Sequence, residues 1–319
     1  MISNAISINQ AAESLLDADN ILLLCHKNPD GDTLGSAGGL MFALKKLGKI
    51  CAIHCNDTIP QKYDFLNLDI FDHSFNPQFI VSVDVADTRL LGDKLAEYIN
   101  NIDLCIDHHP SNTGYANMVC CDGKMPATAQ LMLDILEVMN VELDENIANC
   151  LYTGIMTDTG CFKYSATTSE THIAAAKLMQ AGANHNFISE RFFMSKSRKA
   201  VDLEKYALNN MQFFFDGRCA VVQLPIQVID EIGAQPSDID GISSMPRNIE
   251  GVDVGITIRQ IADTLFKVSL RTSENANANE IASGLGGGGH TKAAGCEVMG
   301  NMESVRKAVL REVETAICK

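Results

Sequence analysis

Short apolar runs alternate with longer stretches of helical periodicity over the first half of the chain. Ile21–Cys25 (ILLLC), residues 50–55, Phe79–Val83 (FIVSV), residues 103–106 and residues 115–121 have the composition of buried strands. Residues 34–47, 127–139, 145–156 and 168–181 instead carry apolar positions at helical spacing. That alternation predicts an α/β domain over residues 1–190, built on a doubly wound parallel sheet. Residues 195–211 read as a helix without a strand partner, the connector of a 191–211 linker. From residue 212 the texture changes. Strands at 212–215 and 218–224 flank Asp216-Gly217, a hairpin signal. Strands at 252–261 and 264–271 meet at Ala262-Asp263. A glycine-rich loop, a strand at 293–298 and the helix Met302–Ile317 complete a smaller mixed α/β domain over residues 212–319.

A chain of 319 residues, 46% hydrophobic and 20% charged, can fill two cores of ordinary globular composition. No apolar run is long enough to cross a bilayer. The opening MISNAISINQAAESLLDADN is amphipathic and acidic, unlike a secretory signal. Eleven cysteines lack any C-x-x-C spacing, and Cys25, Cys105 and Cys219 fall inside apolar runs. Reduced buried thiols in a cytoplasmic protein are the expectation.

The net charge of −15 argues against a long nucleic-acid backbone as the main ligand, and no membrane partner is expected. The charge is unevenly spread. Residues 1–190 hold 10 Lys+Arg against 24 Asp+Glu, whereas residues 191–319 hold 15 against 16. An anion bound by the first part therefore needs cations to neutralise the acids, while the second part can offer arginines.

The acids concentrate at strand ends. His26, Asp30 and Asp32 (CHKNPDGDTLGS) follow the first strand, and Asp84 (VSVDVAD) ends the third. Asp107, His108 and His109 (CIDHHP) end the fourth, and Asp158 (GIMTDTG) follows a helix. Loops at the carboxyl ends of parallel strands converge on one crevice, so these groups are expected to share it. Asp30-Gly31-Asp32 taken alone is a turn that caps the next helix, and Asp84 alone is a strand-end cap. Four such clusters in order are harder to explain as caps. Carboxylates crowded together raise one another's pKa unless divalent cations compensate. A mixture of carboxylates and imidazoles suits Mn²⁺ better than Mg²⁺. There are ligands enough for two ions with a bridging carboxylate, the arrangement used to hydrolyse phosphate esters.

The pattern H-x-x-x-D-x-D-x-x-G-S, a strand-end Asp, D-H-H and then D-T-G resembles the DHH phosphoesterase superfamily. That resemblance implies that His26, Asp30 and Asp84 hold one ion, and Asp32, Asp84, His108 and Asp158 the other. Asp84 would bridge them, His109 would face the scissile phosphate, and Asp107 would orient the histidines.

In the second part, Gly286-Gly287-Gly288-Gly289-His290 (ASGLGGGGHTKAAG) offers backbone amides unobstructed by side chains, suited to an anion nest, with His290 as a further donor. A flexible linker is the plainer reading of a glycine run. Arg271 ends a strand upstream and could reach the same anion; alone it is an ordinary surface arginine. G-G-G-H followed by A-A-G resembles the DHHA1 domain, and the whole chain resembles the oligoribonuclease and 3′-phosphoadenosine 5′-phosphate phosphatase branch of the superfamily. The resemblance implies substrate binding by Arg271, Gly287, Gly288, Gly289 and His290. It also implies short RNA oligonucleotides or mononucleotide bisphosphates as ligands, with long duplexes excluded. Competing readings are a soluble cyclic-di-AMP or linear-dinucleotide phosphodiesterase and a non-catalytic nucleotide-binding regulator. The sequence leaves the oligomeric state, a homodimer included, open.

Overall fold

The computed structural model describes residues 3–317. It divides into two compact units, Met1–Ser195 and Lys196–Lys319. No helix among the described residues is long and apolar enough to cross a membrane.

The first unit runs α1 (Ile8–Asp17), β1 (Ile21–Cys25), α2 (Gly31–Lys46), β2 (Cys51–Cys55), β3 (Phe79–Val83), β4 (Leu104–Asp107), β5 (Met118–Cys121), α3 (Thr128–Val138), α4 (Glu145–Asp158), α5 (Ser169–Gln180) and α6 (His185–Ser189). The strands pair in parallel in the order β2-β1-β3-β4-β5. Every residue of β1 is fully buried, which explains its unbroken apolar composition. Alternate residues face opposite ways: Ile21, Leu23 and Cys25 join the core under α1–α5, while Leu22 and Leu24 join a second core with Leu91, Leu95 and Ile102. Short 3₁₀ turns, not full helices, cover that second face. The last strand starts at Met118 because Tyr115 is committed elsewhere, its Oη lying 2.8 Å from both Ser82 Oγ and the Val85 carbonyl oxygen.

Helices α2 and α4 approach closely through glycine. A Cβ on Gly35 would lie 2.4 Å from the Cys150 carbonyl oxygen, and one on Gly154 would lie 2.5 Å from Ala129 Cβ and 2.8 Å from Asp32 Oδ1. A side chain at either position would drive the helices apart. This contact sets the last residue of α4, Asp158, beside the first turn of α2.

The second unit runs α7 (Arg198–Asn209), β6 (Gln212–Phe214), β7 (Cys219–Leu224), α8 (Ile226–Ile232), α9 (Pro236–Ile239), β8 (Val254–Ala262), β9 (Leu265–Thr272), α10 (Ala278–Ser283), β10 (Gly288–Gly289), β11 (Ala293–Met299) and α11 (Met302–Ile317). Its mixed sheet has the order β10-β11-β9-β8-β7-β6. Phe215, Asp216 and Gly217 all have positive φ and turn β6 into β7. One sheet face packs on α10 and α11. On the other, Val222 and Leu224 meet Leu203 and Ala207 of α7 and Ile242, so the helix expected as a bare connector is part of this unit's core. The segment 225–249, unassigned from sequence, supplies α8, α9 and two 3₁₀ turns.

Candidate metal centre

The strand order reverses between β1 and β3, and their carboxyl ends open the crevice expected of such a switch point. Eight of the residues singled out in the sequence meet there: His26, Asp30, Asp32, Asp84, Asp107, His108, His109 and Asp158. Two positions differ from expectation. The helix after β1 begins at Gly31, three residues early, so Asp32 sits in its first turn and not in a loop. Asp158 is the last residue of α4 and does not follow it.

Asp30 is the N-cap of α2, its carboxylate accepting from the amides of Asp32 and Thr33. Capping therefore coexists with membership of the cluster. Asp32 is buried, and its two oxygens accept from Thr128 N at 2.6 Å, Ala129 N at 2.9 Å and Ser36 Oγ at 3.1 Å. It caps α3 from across the crevice, where the N-cap residue of that helix, Ala127, offers no side-chain acceptor. Asp84 is buried at 3% exposure with φ of +61°, in the left-handed region. Its amide donates to the Ile106 carbonyl and its Oδ1 accepts from Thr128 Oγ1 at 2.8 Å, which holds the carboxylate in place.

The histidines are oriented just as firmly. His26 Nδ1 lies 2.8 Å from the Lys27 carbonyl oxygen and His108 Nδ1 lies 3.0 Å from that of Met125. A carbonyl accepts only, so each Nδ1 carries its proton and each Nε2 is left to the carboxylates. His109 Nδ1 is 2.7 Å from Asp107 Oδ1. Asp107 is fully buried and also accepts from the His108 amide and from Asn112 Nδ2.

The remaining separations lie at or beyond the long limit of a hydrogen bond. His26 Nε2 is 3.5 Å from Asp30 Oδ1 and 3.7 Å from Asp84 Oδ2. His108 Nε2 is 3.9 Å from Asp32 Oδ2, 3.7 Å from Asp84 Oδ1 and 3.5 Å from Asp158 Oδ2. Ligands at about 2.0–2.2 Å from one divalent ion lie roughly 3–4 Å from each other. Among the described residues, three overlapping sets bring ligand atoms within 4.8 Å of one another, near that spacing: His26, Asp30 and Asp84; Asp32, His108 and Asp158; and Asp84, His108 and His109.

Electrostatics point the same way. Burial, then the charges of Asp32 and Asp30, push Asp84 well above the usual carboxylate range. Burial and Asp32 push Asp158 up to about 7. Burial works against the cation at His26, but bonding to Asp30 and the charge of Asp84 outweigh it and hold its pKa up to about 9. The hydrogen bond that His109 donates to Asp107 raises the pKa of His109. A divalent cation relieves the carboxylates of this mutual repulsion, so the donor set fits one.

The second-unit candidates belong to its own sheet, Arg271 near the end of β9 and Gly288 and Gly289 in β10. The glycine amides are not the open nest the sequence suggested. Gly287 N donates to Ala282 O, Gly289 N to Asn279 Oδ1 and His290 N to Ala293 O. A Cβ at Gly287 would lie 2.3 Å from the Gly295 carbonyl oxygen, so these glycines serve close packing on β11. The exposed His290 side chain stands at the turn between β10 and β11. Thr128, Asn112 and the Met125 carbonyl, which shape the crevice, carried no signal in the sequence, whereas Ser36 closes the H-x-x-x-D-x-D-x-x-G-S pattern.

Residues 20–155 match the DHH family, N-terminal domain, and residues 216–317 match the DHHA1 domain. The chain is similar to a bifunctional oligoribonuclease and PAP phosphatase NrnA of Thermus thermophilus, 30% identical over 306 residues covering 94% of this chain and 90% of that one. A Bacillus subtilis protein of the same name is 25% identical, with 94% of this chain and 95% of that one covered. Among solved structures, an exopolyphosphatase-related protein from Bacteroides fragilis superposes with a TM-score of 0.88 at 23% identity, covering 97% of this chain and 95% of that one.

Proposed function

The chain belongs to the DHH family and carries a DHHA1 domain, and from that premise we propose that it is a two-metal phosphoesterase acting on short oligoribonucleotides and on 3′-phosphoadenosine 5′-phosphate. The observation that carries the reading is the position of Asp84, whose two oxygens face His26 on one side and His108 on the other. His26, Asp30 and Asp84 would hold one ion, and Asp32, Asp84, His108 and Asp158 the other, with Asp84 shared. Mn²⁺ suits these mixed nitrogen and oxygen donors better than Mg²⁺. When bound, such ions supply Lewis-acid polarisation of the phosphate and a water of lowered pKa.

The protein's own groups do the rest. Asp107 fixes the proton of His109 on Nδ1 and stabilises the imidazolium. His109 Nε2 then gives a proton to the ester oxygen as its bond to phosphorus breaks and the water oxygen bonds in its place, and the proton that the water sheds to solvent balances the one that returns His109 to the imidazolium. Thr128 keeps Asp84 aimed into the crevice. Arg271 and His290 bind a phosphate of the substrate.

Replacing Asp84 by Ala or Asn tests the assignment. Asn tolerates the left-handed backbone and keeps an acceptor for Thr128, so Asp84→Asn isolates the charge. Both variants should lose hydrolysis of a diribonucleotide and of 3′-phosphoadenosine 5′-phosphate, and elemental analysis should show both ions depleted. An active variant with two bound ions removes Asp84 from the reaction. Turnover of cyclic-di-AMP above that of the linear forms favours the cyclic-dinucleotide alternative.

A further inference from the structure

Arg247 lies on the 3₁₀ turn Pro246–Asn248 of the second unit. Its Nε is buried and has no hydrogen-bond partner among the described residues. An N–H taken from water without an acceptor is unfavourable, so its placement needs a reason. The turn is seated by Gly255 of β8: a Cβ there would lie 2.4 Å from the Arg247 backbone nitrogen and 2.7 Å from its Cβ. Only glycine permits that approach.

Gly255 is the register partner of Arg271 on β9. Residues paired across strands point to the same face, about 5 Å apart. Thr257, two positions along β8 and so on that face as well, donates Oγ1–H to the Ile242 carbonyl at 3.3 Å. The turn segment therefore covers the face from which the Arg271 side chain projects. The other face is apolar, with Val254, Ile256 and Leu270 against α10 and α11. Two guanidiniums are thus rooted on one face of one sheet, the second of them over the strand neighbour of the first.

We propose that Arg247 is a second phosphate-binding residue that acts with Arg271 on one phosphate, and that the pair selects a terminal phosphate monoester over an internal diester. The choice of ligand rests on the phosphoesterase reading. A monoester carries nearly two negative charges at neutral pH on three free oxygens, whereas an internal diester carries one. Two planar forks match the former. The substrate class is then short nucleotides with a terminal phosphate, and nucleoside bisphosphates.

The test uses the full chain with chelator present, so that binding is read without the ions. Adenosine 3′,5′-bisphosphate is titrated by calorimetry against wild type, Arg247→Met and Arg247→Lys. Arg247→Met should raise Kd about tenfold, the loss of one charge-assisted contact, and Arg247→Lys should recover part of it. The folding temperature of Arg247→Met should equal or exceed that of wild type, since an unpartnered N–H has gone. With ions restored, kcat/KM should fall about tenfold on a 5′-phosphorylated diribonucleotide and stay level on its 5′-hydroxyl counterpart. Unchanged Kd in Arg247→Met, no binding by wild type, or an equal loss on both diribonucleotides overturns the proposal. Wild type that binds the bisphosphate in an Arg247-dependent way but hydrolyses nothing keeps the subsite and removes the phosphoesterase reading.

Discussion

Stripped of divalent ions, the chain should lose stability as pH rises from about 5 to about 9, and an added ion should restore it. The crevice sets the sign. Asp158 is pushed up to about 7 by burial and by Asp32, against an ordinary value near 3.9. A raised acid holds its proton more tightly when folded, so its contribution is lost as pH climbs between those two values. At 1.36 kcal/mol per pK unit that interval is worth roughly 4 kcal/mol. The side chain is 35% exposed, and solvent screening reduces the figure to about 2 kcal/mol. His26, held up to about 9, has the same sign: its contribution is complete below about 6.5 and lost as pH rises through the folded value. For a unit of this size about 2 kcal/mol moves Tm by roughly 4–8 °C. Calorimetry of chelator-treated protein between about pH 5.5 and about pH 8.5, with Asp158→Asn alongside, measures it. The whole-chain charge of −15 also relaxes on acidification, and the variant separates that background. About half of the Asp158 loss falls inside this pH range, so Asp158→Asn should flatten the pH dependence by about 1 kcal/mol and outlast wild type at the alkaline end without ions. With an ion present the ranking should reverse. Identical slopes for the two proteins would refute the reasoning.

Dialysed enzyme should be more active with Mn²⁺ than with Mg²⁺, because imidazoles stand among the donors; equal rates with Mg²⁺ count against the ligand sets. Arg271→Ala should lower kcat/KM on nucleotide substrates by about one to two orders of magnitude, the scale of one charge-assisted contact. Its ion content should match wild type, and the loss should shrink on nitrophenyl phosphate, which has no second phosphate. An equal loss on both substrates makes Arg271 structural. Asp107→Asn should lower kcat by roughly 10–100-fold with both ions retained, as the imidazole of His109 loses its carboxylate partner. Ion loss in that variant instead assigns Asp107 to holding His108.

The acids of the crevice were legible because parallel strands gather whatever lies at their carboxyl ends, and each cluster sits at such an end. What holds them was not. Thr128 reaches Asp84 across 44 positions and Asp32 reaches Ala129 across 97, contacts that only the packing of α2, α3 and α4 creates. Gly154 looks unremarkable in sequence because an interhelical approach leaves no periodic trace, and Gly35, although part of the H-x-x-x-D-x-D-x-x-G-S pattern, gives no sign there of that approach. The glycine run near residue 288 misled for the opposite reason. Its composition describes an open loop, whereas the Gly287 and Gly289 amides donate to Ala282 and Asn279 of α10 and Gly288 and Gly289 pair with β11. The segment 225–249 lacks a long apolar period, and its short turns are stabilised by the sheet they cover.

Asp32 caps α3 with the same two oxygens that face the crevice, and Asp84 and both Nε2 donors are held by groups that involve no ion. The cradle is thus braced by contacts that need no ion, and loading it should involve no folding step. Where every candidate cation meets the same rigid pocket, occupancy follows the product of intrinsic affinity and local supply. Cellular abundance then selects the working ion as much as the protein does.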